Sequence, residues 1–153
     1  MHIIADFHIN SKHSRATSRD MDLKHIPAWA KYKGIDLLGT GDFTHSIWLG
    51  QIKKELEEDS DFLTSKDSIG PKFILAGEIS SVYTQGGKTR KVHTIVFVPD
   101  IKTATKINEK LTGIGNLYSD GRPIIVLSAK DPAKIILNIN PKSFIIPAHA
   151  RTP

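Results

Sequence analysis

The chain has 153 residues, of which 39% are hydrophobic, and a formal net charge of +5 at pH 7. A chain of this length buries one ordinary core, so we expect one domain. The absence of cysteine excludes disulfides and thiolate metal sites. The positive charge suits a polyanionic partner such as nucleic acid, although a lysine-rich solvated surface explains it equally well.

The sequence predicts neither a membrane span nor a secretion signal. It contains no uninterrupted apolar run of about 18 residues, the minimum for a membrane-spanning helix. The first residues, MHIIADF, enter a strand pattern at once, without a charged segment followed by an apolar one. A reducing, cytoplasmic location is therefore expected.

Apolar segments of strand length alternate with segments of helical period, which predicts an α/β fold with a mainly parallel sheet. The first strand is predicted at His2 to Phe7, followed by a polar loop over Asn10 to Arg19. A helix then runs to about Lys33, because Pro27 suits its first turn and Gly34 suits its C-terminal end.

The next strand and helix are predicted between residues 35 and 56. Ile35 to Gly39 reads as a short strand, and Thr44 is predicted to cap a helix whose core-facing stripe includes Trp48. Trp29 and Trp48 both lie at helical spacing. We expect them to be core or interface residues rather than platforms for base stacking.

A β-hairpin is predicted in the middle of the chain. Lys72 to Ser80 forms its first strand, Gly86 and Gly87 its turn, and Val92 to Val98 its antiparallel return. The remaining predicted elements are a helix capped by Asp100, a strand at Pro123 to Leu127, a short helix opened by Asp131 and Pro132, and a last strand at Ser143 to Ala148.

Metal-binding side chains follow the predicted strands: His8 after the first, Asp42 and His45 after the second, Glu78 at the end of the third, and His149 at the end of the last. The carboxyl ends of strands in an α/β barrel share one face, which carries the active site. A tight hairpin would also bring His93 beside Glu78. Imidazole and carboxylate together suit zinc, manganese or iron, which activate water and neutralise phosphate charge.

Each of these side chains also has a structural interpretation. Asp42 could cap the following helix, and Glu78 could be a buried structural carboxylate. A single histidine near a strand end is commonly a hydrogen-bonded structural residue. Only their joint placement favours a metal site.

Several segments resemble motifs of the polymerase-and-histidinol-phosphatase (PHP) superfamily, in the form found in its endonuclease Q branch. The five motif-like segments are Ala5 to Asn10, Gly39 to His45, Gly77 to Ser80, Lys91 to His93, and Ile146 to His149. Gly115 to Leu117 and Ser119 to Pro123 are also similar to that branch. The resemblance therefore covers essentially the whole chain.

The resemblance implies a distorted seven-stranded barrel with a β-hairpin insertion and up to three divalent metal ions, of zinc, manganese, magnesium or iron. It implies that the metal ligands are His8, Glu78, His93 and His149, with Glu78 bridging two ions, and that Asp42 and His45 complete or support the site. Glu78 and Asp42 are the catalytic residues that it implies. The activity implied is nicking of DNA on the 5′ side of deaminated bases and at abasic sites.

The chain departs from the PHP pattern in two places. Asn10 occupies the position of a ligand histidine, and its amide oxygen binds hard cations but replaces imidazole poorly toward zinc. The superfamily pattern also continues to an Asp-x-His motif that these residues do not contain. We therefore expect residues 1–153 to be a truncated PHP domain that needs further strands, from a longer gene product or a second chain.

Basic residues fall in two groups near the predicted site. They are Arg15 and Arg19 in the loop after His8, and Lys88, Arg90 and Lys91 beside the hairpin turn. Such residues can hold DNA phosphates, although they can equally be solvated loop charges.

Two other functions remain open from the sequence. An inactive remnant that binds nucleic acid or a partner is favoured by Asn10 and by the missing motif. A phosphatase acting on a small phosphate monoester is disfavoured by the basic loops.

Overall fold

The computed structural model of the protein describes residues 2–66 and 70–150. Its helices are Ile26–Lys33 (α1), Ser46–Glu55 (α2), Ile101–Thr112 (α3) and Lys130–Ile139 (α4). Its strands are Ala5–Asp6 (β1), Leu37–Gly39 (β2), Leu56–Asp59 (β3), Phe62–Ser65 (β4), Lys72–Gln85 (β5), Lys88–Val98 (β6), Ile124–Ile125 (β7) and Phe144–Ala148 (β8). Within these residues no helix has the length and apolar character needed to span a bilayer.

Strand β5 joins the two halves of the sheet. Its first residues pair with β2 in parallel and with β4 in antiparallel orientation, giving the order β1-β2-β5-β4-β3. Its later residues pair with β6 and β7, and β8 lies on the far side of β6. The predicted α/β class is confirmed, but the prediction of a mainly parallel sheet is wrong, because the long β5-β6 and β6-β8 pairings are antiparallel. Over the described residues the eight-stranded sheet is open rather than closed into a barrel.

The predicted hairpin is present and is longer than predicted. Strand β5 continues to Gln85 and β6 begins at Lys88, because residues 81–85 find backbone partners along β6. Gly86 and Gly87 have φ of 60° and 70°, the left-handed conformation that suits a two-residue hairpin turn. The prediction that Glu78 ends the third strand is therefore wrong, since Glu78 lies inside β5.

The helix starts follow the predictions at α1 and α3 but not at α2 and α4. The prediction that Asp131 and Pro132 open α4 is wrong, because this helix begins at Lys130 after Ala129. Gly34 ends α1 with φ of 69°, and Asp100 caps α3 by accepting a hydrogen bond from the backbone N–H of Thr103 at 2.6 Å. The predicted cap of α2, Thr44, is wrong by one residue. The cap is His45, because Thr44 instead donates its hydroxyl hydrogen to the carbonyl of Gly121.

The core lies between the sheet and helices α2 and α3. Trp48 is fully buried, as predicted, and its indole N–H donates to the carbonyls of Thr40 and Gly41 at 3.1 and 2.9 Å. These bonds fix the loop that follows β2. Trp29 is not a core residue, because its side chain is 57% exposed and packs edge-to-face against Tyr32 on the surface of α1. That Trp29 is an interface residue stays a prediction.

Candidate metal centre

Four side chains from separate elements surround one buried carboxylate. Glu78 projects from the middle of β5 and is 3% exposed. Its neighbours are His8 in the loop after β1, His93 on β6, His149 directly after β8, and Arg122 just before β7. Strand pairing explains part of this arrangement, since His93 lies opposite Ser80 on one side and opposite Ala148 on the other.

The two oxygens of Glu78 have different neighbours. Oε2 lies 3.5 Å from Nε2 of His8 and accepts a hydrogen bond from Arg122 at 3.2 Å. Oε1 lies 2.9 Å from Nδ1 of His93 and 4.0 Å from Nε2 of His149. Ligand atoms of His8, Glu78 and His149 all lie within 4.8 Å of one another, which is close enough for one ion to reach all three.

The residues present fit a transition-metal ion. Oε1 of Glu78 and Nε2 of His93 are buried and have no hydrogen-bond partner in the part of the chain that the structure describes. Burial lowers the pKa of His93, against the opposing effect of Glu78, so its imidazole stays neutral and keeps a lone pair for coordination. Three imidazoles and a carboxylate form a donor set that suits zinc, manganese or iron better than magnesium.

Asp42 is held by hydrogen bonds from the loop after β1. It follows β2 with φ of 44°, and its Oδ2 accepts hydrogen bonds from the backbone N–H of Ser11 at 2.6 Å and from the hydroxyls of Ser11 and Ser14 at 2.7 and 2.9 Å. Burial raises the pKa of Asp42, whereas the serine hydrogen bonds oppose that rise. Asp42 therefore holds the loop that carries His8, and its Oδ1 is buried without a partner among the described residues.

Gly121 completes the packing around Asp42. A Cβ atom at this position would collide with Oδ2 of Asp42 and with the hydroxyl of Ser14. The segment before β7 can therefore approach the loop after β1 only with glycine at this point.

Both ring nitrogens of His45 are engaged by the backbone. Nδ1 accepts from the N–H of Trp48 at 3.4 Å, and Nε2 lies 3.2 Å from the carbonyl of Tyr118. The ring also stacks on His13 with centroids 4.3 Å apart. Burial and the neighbouring His13 lower the pKa of His45, so the structure places it as a neutral helix cap, apart from the Glu78 cluster.

The remaining predicted residues lie around this centre. Asn10, Arg15 and Lys91 line a polar cavity together with Arg122. Lys91 also borders an open cleft of about 580 Å³ beside His93 and His149. The other predicted basic residues are exposed, with Arg19 in the loop after β1, and with Lys88 and Arg90 at the start of β6.

Sequence reasoning assigned no role to Arg122, although the structure brings its guanidinium onto Glu78. Arg122 precedes a strand, whereas active-site residues of α/β folds are expected at the carboxyl ends of strands. Strand β7 pairs with β5 in parallel at Ser80 and Ser81, so Arg122, two residues before Ile124, lies level with Glu78. The signals available in the sequence were a basic residue just before an apolar run and its place in the segment Ser119 to Pro123, which is similar to the endonuclease Q branch.

Comparison with known proteins relates the chain to lesion-directed DNA endonucleases. It superposes on the crystal structure of the lesion-specific endonuclease from Pyrococcus furiosus with a TM-score of 0.83 and 29% identity, over 99% of this chain and 35% of that one. It superposes equally well, at 32% identity, on an endonuclease Q bound to a 27-mer duplex substrate with an abasic lesion at its active site, over 97% of this chain and 35% of that one.

A curated relative is an uncharacterised protein of Methanocaldococcus jannaschii, 28% identical over 149 residues, which are 97% of this chain and 16% of that protein. No known protein-family profile matches the chain. The chain thus spans about a third of the length of the solved endonucleases and 16% of the length of this relative. Its mixed α/β fold is similar to that part of endonuclease Q.

Proposed function

We propose that this chain is part of a metal-dependent phosphodiesterase of the PHP type that nicks DNA at deaminated bases or abasic sites. The observation that carries the proposal is the convergence of three histidines and Arg122 on the buried carboxylate of Glu78. The similarity to endonuclease Q supports DNA as the substrate.

In this proposal His8, His93, His149 and Glu78 hold one or more divalent ions. A bound ion would lower the pKa of water and offset the negative charge of a phosphodiester. Arg122 lies on the same carboxylate, where a guanidinium can hold a phosphate oxygen by paired hydrogen bonds. Asp42 supports the site indirectly, because its hydrogen bonds with Ser11 fix the loop that carries His8.

The catalytic unit is proposed to include more strands than this chain provides, either from a longer polypeptide or from a second chain. Exposed apolar side chains support this. Ile4 is 58% exposed beside β1, and Phe144 is 63% exposed on β8. Further strands, packed on these surfaces as in a closed barrel, would bury them and could supply the ligands of the superfamily's last motif.

The test is cleavage of duplexes that contain an abasic site, uracil or hypoxanthine, with undamaged duplex as the control substrate and Mn²⁺, Zn²⁺ or Mg²⁺ present. We expect negligible nicking by the 153 residues alone. Nicking is expected from a chimera in which this chain replaces the matching third of the Pyrococcus furiosus endonuclease.

Glu78→Gln should abolish nicking by the chimera, while Glu57→Gln, which removes an exposed carboxylate on β3, should leave it unchanged. The proposal fails if a chimera that unfolds cooperatively does not nick any of the damaged duplexes. It also fails if Glu78→Gln nicks as fast as Glu57→Gln.

A further inference from the structure

A polar cavity of about 260 Å³ lies beside the metal centre, and the hydrolysis proposed above uses Arg122 alone of its lining side chains. Its walls come from the loop after β1, from β5 and β6, and from the segment before β7. We call this cavity the cationic pocket. The lining side chains that matter below are Asn10, Arg15, Ser80, Lys91, Asp120 and Arg122.

The cationic pocket carries an excess of positive charge. Arg15, Lys91 and Arg122 line it, and Asp120 is the single carboxylate among its described lining residues. One oxygen of Asp120 lies 3.4 Å from Nε of Arg15, and the other accepts a hydrogen bond from the backbone N–H of Arg122 at 3.1 Å. Asp120 thus holds the basic side chain of Arg15 and the segment carrying Arg122, while Glu78 partners the Arg122 guanidinium. Lys91 has no carboxylate partner among the described residues, and its charge favours an anion.

A buried hydroxyl on the wall of the pocket lacks a partner. Ser80 is 1% exposed, and its Oγ has no hydrogen bond to any residue that the structure describes. Buried polar groups are nearly always hydrogen-bonded, because an unpaired one keeps its full desolvation cost. Ser80 lines the same pocket as the three cationic side chains, so an anion bound there would offer its hydroxyl an acceptor.

Arg122 links the cationic pocket to the metal centre. Its guanidinium donates to Oε2 of Glu78 at 3.2 Å while the side chain also lines the pocket. A guanidinium has five N–H donors in a planar fork, so the bond to Glu78 uses one and leaves others for an oxyanion. Lys91 borders both this pocket and the cleft beside His93.

We propose that the cationic pocket binds a phosphate oxyanion, namely the phosphodiester adjacent to the one that is cleaved in a DNA strand. The identity of the strand rests on the proposed function, whereas the anion site rests on the pocket alone. The cavity of about 260 Å³ is several times the roughly 30 Å³ that one water occupies in the liquid, which is enough for a phosphate group. Arg122 would then act as a positioning residue between that phosphate and Glu78.

The first experiment titrates inorganic phosphate into the chain after metal has been removed with EDTA, at constant ionic strength, and follows binding by calorimetry. Lys91→Gln should weaken phosphate binding about tenfold, the usual effect of one charge-assisted hydrogen bond. Lys102→Gln removes the same charge from an exposed position on α3 that does not line the pocket, and should change the Kd less than about twofold. Equal weakening by the two variants, or no binding by the unmodified chain, would overturn the proposal.

The second experiment measures the Tm of Ser80→Ala with and without phosphate. A hydroxyl reserved for a ligand is unpaired in the free protein, so its removal should leave the Tm unchanged or raise it, while the increase in Tm caused by phosphate becomes smaller. A hydroxyl with a purely structural role would lower the Tm equally in both conditions, and that result would overturn the proposal.

The third experiment identifies the source of the phosphate. Trinucleotides with and without a 5′-phosphate compete with inorganic phosphate for the metal-free chain. We expect both to compete, and Lys91→Gln to weaken both. Competition by the 5′-phosphorylated form alone would overturn the assignment to a phosphodiester.

These measurements need neither bound metal nor cleavage, so they separate this proposal from the proposed function. If Lys91→Gln weakens phosphate binding and Lys102→Gln does not, but damaged duplexes are not nicked, only the proposed hydrolysis fails. If damaged duplexes are nicked but Lys91→Gln binds phosphate as tightly as its control, only the proposal for the cationic pocket fails.

Discussion

Nδ1 of His93 lies 2.9 Å from Oε1 of Glu78, yet Nε2 of the same ring is buried without a hydrogen-bond partner in the described residues. Fourteen positions separate the two residues in the chain, and the antiparallel pairing of β5 and β6 brings them together. One nitrogen of the ring is thus directed by a carboxylate, while the other remains available for coordination. That arrangement is common among metal-binding histidines.

Removal of the Glu78 carboxylate is expected to weaken metal binding most. Glu78→Gln should reduce the affinity for Mn²⁺ or Zn²⁺ by more than about 100-fold, since loss of even an outer partner of a metal ligand costs about 10- to 100-fold. Calorimetric titration of the metal-free chain measures this, with Glu57→Gln as the matched control. Equal affinities in the two variants would remove Glu78 from the metal centre.

The pH dependence of stability should report on His45. Burial, and then His13, lower the pKa of His45 below its ordinary value of 6.5, although the Tyr118 carbonyl, Asp42 and Asp120 oppose this shift. The unfolded chain then takes up a proton more readily than the folded one. This contribution to stability is complete above about pH 6.5 and is lost as the pH falls through the lower pKa of the folded state.

Urea unfolding between pH 7.5 and pH 5 measures that loss. His45→Asn keeps a side chain that caps helices well but does not titrate, so its pH dependence should be flatter than that of the unmodified chain. His2→Asn removes an exposed histidine and serves as the control. An identical pH dependence in the unmodified chain and His45→Asn would contradict the assignment of His45 as a neutral cap.

Asp42 should contribute more to stability than to metal affinity. Asp42→Ala removes the acceptor of three hydrogen bonds from Ser11 and Ser14 and places alanine at a positive φ, so we expect a loss of about 3 kcal/mol in the free energy of unfolding. Asp42→Asn keeps an acceptor and tolerates that φ, and should lose about half as much. A variant that loses metal binding at full stability would instead place Asp42 among the ligands.

The exposed apolar side chains should make the chain associate. Light scattering is expected to show oligomers, because unpaired strands and uncovered apolar surface favour association. Ile4→Lys and Phe144→Lys place charge beside β1 and on β8 and should shift the chain toward the monomer. Tyr32→Lys, at an 84% exposed aromatic on α1, should not. A monodisperse monomer before any substitution would refute this expectation.

DNA binding should depend on salt through the basic residues near the hairpin turn. The logarithm of the association constant for duplex DNA should fall linearly with the logarithm of salt concentration, because phosphate contacts release counterions. Arg90→Gln should reduce that slope by about 1. Gel shifts at several salt concentrations measure the slope. Binding that is insensitive to salt would exclude a phosphate contact at Arg90.

The sequence alone determined most of the elements and the set of chemical groups, although strands β3 and β4 were not predicted. Period-2 and period-3.6 patterns, together with local signals such as Gly86-Gly87, Gly34 and Asp100, depend on neighbours in the chain, so the α/β class and the hairpin could be predicted. The histidines and Glu78 could be selected as ligand types because most of them were predicted near strand ends, although Glu78 lies inside β5. Those predictions required no knowledge of contacts between distant residues.

Tertiary structure decided which of these groups meet. Strand β5 extends past its predicted end and pairs with β7. This pairing brings Arg122 into contact with Glu78, and Ser80 lines the cationic pocket. The loop after β1 folds toward the end of β2, where Ser11 and Ser14 donate hydrogen bonds to Asp42. Such contacts join residues tens of positions apart, and their geometry depends on strand register and packing, which no local pattern in the sequence encodes.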